Sequence, residues 1–420
     1  MRYQAPRGTH DVLPSEVPNW RFVEETFREL CARYGYQEIR TPVFEVTELF
    51  ARTSGESSDI VTKQMYTFRV GDESLTLRPE GTAPTIRAYL EHALHAQGPV
   101  CKLFYICPIF RHEAPQAGRY RQHHQVGIEC LGAADAAADA EVIALGHDYL
   151  RALGITGEVL HLNSVGCPQC RPTYRQALRD FLQPLLPRLC DDCQRRYAVN
   201  PLRVLDCKST TCKALVADAP RGLDYLCAEC AAHFAQVRRW LDTLGIGYEL
   251  DPRLVRGLDY YTRTAFEFMH DGLGAQSTVI GGGRYDGLIE QCGGKPTPGV
   301  GFGSGIERAL LIRAALQAAL PAAPARKVFV ATQGDAARAA SIPLLYELRR
   351  AKVPAETDYL GRSLKAQMRE AHRQGARFAL ILGDDELAHN VVTLRDLQTH
   401  EQRVVPREQV VSELQRLTAV

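Results

Sequence analysis

The sequence has almost no net charge: 50 Lys and Arg against 49 Asp and Glu leave +1 at neutral pH. No bulk field is available to hold nucleic acid, so any such contact has to come from local patches. No stretch approaches the roughly 18 apolar residues of a membrane-spanning helix. The start, "MRYQAPRGTHDVLPSE", lacks the apolar run of a secretion signal. The expectation is a cytoplasmic protein with no membrane partner. There is no internal repeat, no low-complexity tract and no GxxxxGK[ST] phosphate loop. In a reducing compartment the 13 cysteines are not a disulfide framework.

At 420 residues the chain is too long for one compact core, and its patterning divides it. Trp20, Val23, Phe27, Leu30, Cys31 and Tyr34 recur at helical spacing, with Gly35 placed to cap the end. "YQEIRTPVFE" has strand character, and "SLTLRPEGTAPTIRAYLEHAL" reads as a strand, a polar turn and a helix from Thr82. "CKLFYICPIFRHE" and "HHQVGIECLG" predict an antiparallel pair joined by a long loop, and long loops inside compact domains are usually functional. A helix in "DAAADAEVIALGHDYLRALGI" and a strand in "GEVLHLNSV" follow. From 166 to 247, cysteine pairs and arginine-rich helical patterns replace strands, which marks an insertion. Strand patterns resume at "GYELDPRLVRG" and run through "PGVGFGSG" to a helix in "IERALLIRAAL". Beyond "LPAAPARK" helices and strands alternate.

The expected fold is therefore an α+β domain on an antiparallel sheet with flanking helices, in two parts (1–165 and 248–320). A helical cysteine-rich insertion (166–247) interrupts it, and a linker (321–326) leads to an α/β domain with a mostly parallel sheet (327–420).

The chemistry starts from arginine. In "FRHEAPQAGRYRQHHQVGIE", Arg111, Arg119 and Arg121 lie in one turn-rich segment, where they repel unless something anionic sits among them. With Arg256 in "LVRGLDYYTR" and Arg308 in "GSGIERALL" they point to a polyphosphate, because the planar guanidinium suits phosphate oxygens and stacks on a flat base. "VIGGGRYDGL" and "GVGFGSGIER" allow either close backbone approach to a ligand or tight strand packing, and neither has the setting of a dinucleotide fingerprint. Glu80, Gln125, Glu129 and "DYY" at 259–261 add acceptors and hydroxyls. Gln125 and Glu129 are spaced to face the same side of a strand.

Eight cysteines are paired: Cys167/Cys170, Cys190/Cys193 and Cys227/Cys230 as C-x2-C, and Cys207/Cys212 more widely. Nineteen residues separate the first two pairs and fourteen lie between Cys212 and Cys227. Spacing allows two structural zinc sites, Cys167/Cys170/Cys190/Cys193 and Cys207/Cys212/Cys227/Cys230, with metal-free buried thiols as the alternative. Cys31, Cys101, Cys107, Cys130 and Cys292 read as core residues.

"FRHEAPQAGRYRQHHQ" resembles motif 2 of the class II aminoacyl-tRNA synthetases, and "GFGSGIERALL" resembles motif 3. "LVRGLDYYTRTAFEF" is similar to a peptide peculiar to the histidyl-tRNA synthetases, and "RGTHDVLP", "TLRPEGT" and "GGGRYDGL" stand in the expected order. The resemblance implies activation of histidine with ATP and Mg2+, transfer to a histidine tRNA, a homodimer built through motif 1, and anticodon binding by the C-terminal domain. It places Arg111, Glu113, Arg119 and Arg308 on ATP, with Arg256 approaching the α-phosphate from another side. Glu80, Thr82 and Gln125 would hold the amino group of histidine; Glu129 and Tyr261 would bond the two nitrogens of its imidazole; Tyr260 would also belong to the histidine site; Gln116 would face the acceptor end of the tRNA. His123 departs from the family's usual Phe or Tyr, which touches local packing. A non-catalytic histidine-sensing relative, the regulatory subunit of ATP phosphoribosyltransferase, is the alternative, but it lacks a C-terminal domain and typically loses the arginines. From Lys327 on, 14 Lys and Arg face 12 Asp and Glu, so charge alone says nothing about RNA.

Overall fold

The computed structural model describes residues 3–54, 60–115, 118–205, 207, 209–255, 258, 260–319 and 327–418. Two compact units divide the chain, Met1–Ala319 and Leu320–Val420.

The first unit is built on an eight-stranded sheet. Across it run Gln37–Glu38, Cys101–Phe110, Gln122–Leu131, Gly299–Gly305, Thr278–Arg284, Thr262–Met269, Val159–Ser164 and Glu249–Leu250. The six inner strands pair antiparallel, as their alternating patterns suggest, and the two-residue edge strands join parallel. The edge strand from "GYELDPRLVRG" is only Glu249–Leu250, because Pro252 has no N–H to continue a ladder. Helices Val17–Arg33, Ala136–Ala152 and Ile306–Ala315 bury their apolar faces with the sheet in one core, where Phe27 meets Tyr149 at 5.0 Å between ring centroids. A second, three-stranded sheet joins Phe44–Val46, Glu73–Leu77 and Tyr66–Val70.

The insertion is helical, with Arg171–Leu182, Asp191–Val199, Thr210–Leu215 and Ala228–Leu244. It carries a small core of its own around Tyr174, Leu178, Leu182 and Val204. Its last helix lies against Ala136–Ala152, where His233 Nε2 approaches Asp139 at 3.4 Å.

In the second unit three strands, Ala355–Thr357, Lys327–Thr332 and Ala376–Leu382, run parallel as the alternating pattern implies. Val391–Asp396 and Gln402–Pro406 extend the sheet antiparallel. Helices Asp335–Arg350, Leu364–Arg373 and Val410–Thr418 complete it over a core that includes Val328, Leu344, Leu348 and Leu380. The linker expected at 321–326 lies outside the described residues. Among the described residues no helix is long and apolar enough to cross a membrane.

Candidate active site

A cavity of about 190 Å3 opens on the large sheet, lined from four strands, two helices and the loops between them, and most of the sequence-predicted residues gather there. Its floor is made by facing glycines: Gly301 lies opposite Glu129, Gly303 opposite Gly127, and Gly281 opposite Gly303. A Cβ at Gly303 would sit 1.6 Å from Gln125 Nε2, and one at Gly301 would sit 2.3 Å from Glu129 Oε2. The glycine strings thus let two long polar side chains lie flat on the sheet, in addition to packing the strands closely.

One end is basic. Arg111, Arg119 and Arg308 line the cavity. Arg111 Nε donates to Pro79 O at 2.7 Å; Arg308 donates to Gly118 O at 3.1 Å and Thr278 O at 2.6 Å. Arg119 is ion-paired with Glu113 at 2.7 Å. Among the described residues, neither Arg111 nor Arg308 has an ion-pair partner. Burial, then the charges of Arg119 and Arg111, lower the Arg308 pKa against the opposing pull of Glu113 and Glu267. Arg121 is a correction: it turns away, donating toward Glu113 O and Arg7 O, both at 3.4 Å, and does not line the cavity. His123 keeps Gln125 in register: the first lies opposite Ile109 and the second opposite Cys107 on Cys101–Phe110. Burial, then Arg111 and Arg308, push its pKa down to about 3, so it stands in the basic end as a neutral flat ring.

The other end is acidic. Glu80 caps the helix Thr82–Glu91, accepting from the N–H groups of Thr82 at 2.6 Å and Ala83 at 2.8 Å. Burial still raises its pKa, offset in part by those bonds and by Arg111. Glu129 is 1% exposed and stands one layer behind the wall. Its carboxyl accepts from Thr82 Oγ1 at 2.7 Å, Tyr105 OH at 3.3 Å and Tyr285 OH. Burial lifts it from 4.5 to about 8 against the pull of those hydroxyls. Gln125 Oε1 is buried without a hydrogen-bond partner, an acceptor left over for a ligand. Tyr260 and Tyr261 line this end with ring centroids 4.7 Å apart. Arg256 and Gln116 lie outside the described residues.

Sequence reasoning passed over four contributors. Tyr105 and Tyr285 hold Glu129; Arg78 ties three carbonyls, those of Pro108, Thr41 and Pro42; Glu307 takes the His124 N–H in both oxygens, at 2.8 and 3.0 Å. Tyr105 had a signal: it pairs with Gly127, and its ring fills the place of the missing side chain, 2.4 Å from where a Cβ would stand.

The cysteine grouping is also corrected. The structure brings Cys167, Cys170, Cys227 and Cys230 together and, separately, Cys190, Cys193, Cys207 and Cys212. The helix Arg171–Leu182 leads the chain away from the first pair and Ala228–Leu244 begins beside it, so the last pair closes on the first and encloses the other four. Each cluster could hold a metal ion.

A basic end and an acidic end over a glycine-floored antiparallel sheet, in place of a phosphate loop, put the fold among the class II aminoacyl-tRNA synthetases. A sequence model described as histidyl-tRNA synthetase matches residues 8–309, and one described as an anticodon binding domain matches residues 327–417. The histidine–tRNA ligase of Desulforamulus reducens is 53% identical over 407 residues, covering 97% of both chains. That of Desulforudis audaxviator is 54% identical over 419 residues, covering 99% of both. The crystal structure of apo Staphylococcus aureus histidyl-tRNA synthetase superposes with a TM-score of 0.83 at 40% identity, over 98% of this chain and 99% of that one. The chain belongs to the histidyl-tRNA synthetase family.

Proposed function

We propose that the protein activates histidine as histidyl-adenylate and passes it to the terminal ribose of a histidine tRNA, using the two ends of this cavity. The observation that carries the reading is the gathering of Arg111 and Arg308, neither of them ion-paired among the described residues, beside the Arg119–Glu113 pair in one cavity. ATP supplies the negative charge. Arg111 clamps the α-phosphate, Arg308 lies along the adenine or the phosphates, and Arg119 with Glu113 borders the nucleotide. His123, uncharged and flat, replaces the family's aromatic ring beside them.

Glu80, Thr82 and Gln125 hold the α-amino group, the Gln125 carbonyl having no hydrogen-bond partner among the described residues. Tyr261 and Tyr260 flank the imidazole, and Glu129 sets that end through the hydroxyls it anchors. A site made of such bonds discriminates strongly, because the wrong amino acid leaves buried polar groups unpaired. The histidine carboxylate attacks the α-phosphorus in line, the bond to the β-phosphate oxygen breaks, and pyrophosphate leaves; the tRNA hydroxyl then takes the acyl group and AMP departs. No protein nucleophile is required, and catalysis is positioning and charge stabilisation, with Arg256 meeting the α-phosphate from the remaining side.

Magnesium, when bound, neutralises the outgoing phosphates. Glu113 suits it: Oε2 is ion-paired to Arg119 but takes no hydrogen bond, whereas Glu307 is occupied by His124. Zinc suits the thiol clusters, and four thiolates leave no open position for adenylation chemistry. Gln116 faces the acceptor end, the unit from Leu320 reads the anticodon, and the first helix with the strand after it, which resemble the family's dimer-forming motif 1, form a homodimer; the location is cytoplasmic.

Pyrophosphate exchange with ATP, supplied with each amino acid in turn, tests this. Exchange with histidine alone is expected; exchange with none would leave a histidine sensor, and exchange with another amino acid would overturn the specificity.

A further inference from the structure

The two cysteine clusters have the dimensions of a metal cage. Within each, all four sulfurs lie within 4.8 Å of one another. Neighbouring sulfurs are 3.6, 3.8 and 3.9 Å apart in the first cluster, and Cys190 and Cys207 are 3.8 Å apart in the second. A tetrahedron with metal–sulfur bonds of about 2.3 Å has edges of about 3.8 Å, whereas bonded sulfurs stand about 2.05 Å apart. The backbone is arranged to match. Cys167 N–H points at Cys170 Sγ at 3.0 Å, and Cys190 N–H at Cys212 Sγ at 3.3 Å. Cys170, Cys190 and Cys227 each stand immediately before a helix, which fixes the backbone that carries them. Gly166, at φ +68°, could not carry a side chain, since its Cβ would lie 2.7 Å from Cys170 Sγ.

The clusters differ in what they touch. Cys193, Cys207 and Cys212 belong to the insertion's own small core with Leu189, Val204 and Val216. The first cluster adjoins the amino-acid end of the cavity. Immediately before Cys167, Gly166 O accepts from Arg263 N–H at 2.9 Å, and Val165 N–H donates to Arg263 O at 2.8 Å. Immediately after Cys170, Arg171 donates to Val165 O at 3.3 Å and to Tyr261 O. Arg263 is left-handed, at φ +50°, where the pairing of Thr262–Met269 with Thr278–Arg284 slips register. A non-glycine residue in that conformation costs on the order of 1–3 kcal/mol and persists only when its surroundings hold it.

We propose that both clusters are zinc sites and that the ion at Cys167/Cys170/Cys227/Cys230 is a positioning device. It fixes the turn from Gly166 to Arg171, the turn holds the strained Arg263 and the Tyr261 carbonyl, and these set Tyr260 and Tyr261 in the cavity. The second part rests on the histidine-activating function proposed above; the first does not.

Protein purified in reducing buffer without added metal should contain two zinc ions per chain, one for each cluster, and exchange with Co2+ should give thiolate charge-transfer absorption. Cys230→Ser should keep one ion and raise KM for histidine about tenfold, with KM for ATP within about twofold. Cys212→Ser should keep one ion and leave both KM values within about twofold. Should Cys230→Ser fail to fold, Arg171→Met severs the same link with both ions bound and should reproduce the histidine effect. Zinc near zero, or oxidised thiols, would overturn the sites; wild-type KM for histidine in Arg171→Met would overturn the positioning. Absence of pyrophosphate exchange with any amino acid would refute the function on which the positioning rests, while zinc content and cobalt spectrum still decide the sites.

Discussion

Arg284 is fully buried and Arg308 half-buried, and they are balanced in opposite ways. Arg284 is 0% exposed, bonded to both oxygens of Asp139, to Asp286 Oδ1 at 3.1 Å and to Ala133 O at 2.9 Å. Burial would lower its pKa, but Asp139 and Asp286 outweigh burial and raise it. Arg308 meets carbonyls and other guanidiniums, and its pKa falls. The first is neutralised by the fold and joins Ala136–Ala152 to Thr278–Arg284; the second is left for something the fold does not contain. A buried charge therefore reads as structure or as site according to who completes it.

The contrast can be broken by substitution. Removing one partner of the completed pair strands the other, so Asp139→Asn should cost about 3–5 kcal/mol of stability in denaturant unfolding, with near-normal turnover in the fraction still folded. Removing a guanidinium from the incomplete group should do the reverse. Arg308→Ala should slow pyrophosphate exchange about 10²–10³-fold at saturating ATP, as should Arg256→Ala through the α-phosphate contact proposed above. A stability change in Arg308→Ala beyond about 1 kcal/mol would contradict the division.

Acid groups sharpen it with opposite signs. Burial works against Asp139, but the His233 ring 3.4 Å away and the charge and hydrogen bonds of Arg284 hold its pKa below the ordinary value, so its contribution to stability is present above 3.8 and lost as pH falls. Glu129 is raised from 4.5 to about 8; the native state binds the extra proton, and stability falls as pH rises through that window. The slope from this one group is at most about 1.4 kcal/mol per pH unit, and Glu129→Gln should remove it from a plot of unfolding free energy against pH. The smallest effect is expected at His123: with a neutral ring already present, His123→Phe should leave KM for ATP within about threefold.

Much of this was legible in the chain. The period-two runs at 101–110 and 122–131 carried both strands and the shared face of Gln125 and Glu129, and the helical spacing of Trp20 to Leu30 carried the first helix. Tyr66–Val70 and Gln402–Pro406 carry no clear signal because both are exposed edge strands, without a buried alternating face to mark them. Glu129 was expected in the cavity, yet alternation gives the face and not the depth, and the hydroxyls of Tyr105 and Tyr285 that cover it come from strands distant in sequence. Arg121 was grouped with its neighbours by proximity along the chain, and the loop geometry separated them. The cysteine spacing suggested neighbouring pairs, whereas the meeting of the first and last depends on where two helices begin.

Thermal unfolding of Arg308→Ala beside the wild type, with and without ATP and Mg2+, tests most directly whether the cavity's guanidiniums await a nucleotide. The account predicts a variant as stable as the wild type when free, with most of the ATP-induced rise in Tm lost. A variant that is destabilised when free and keeps the full rise would contradict it.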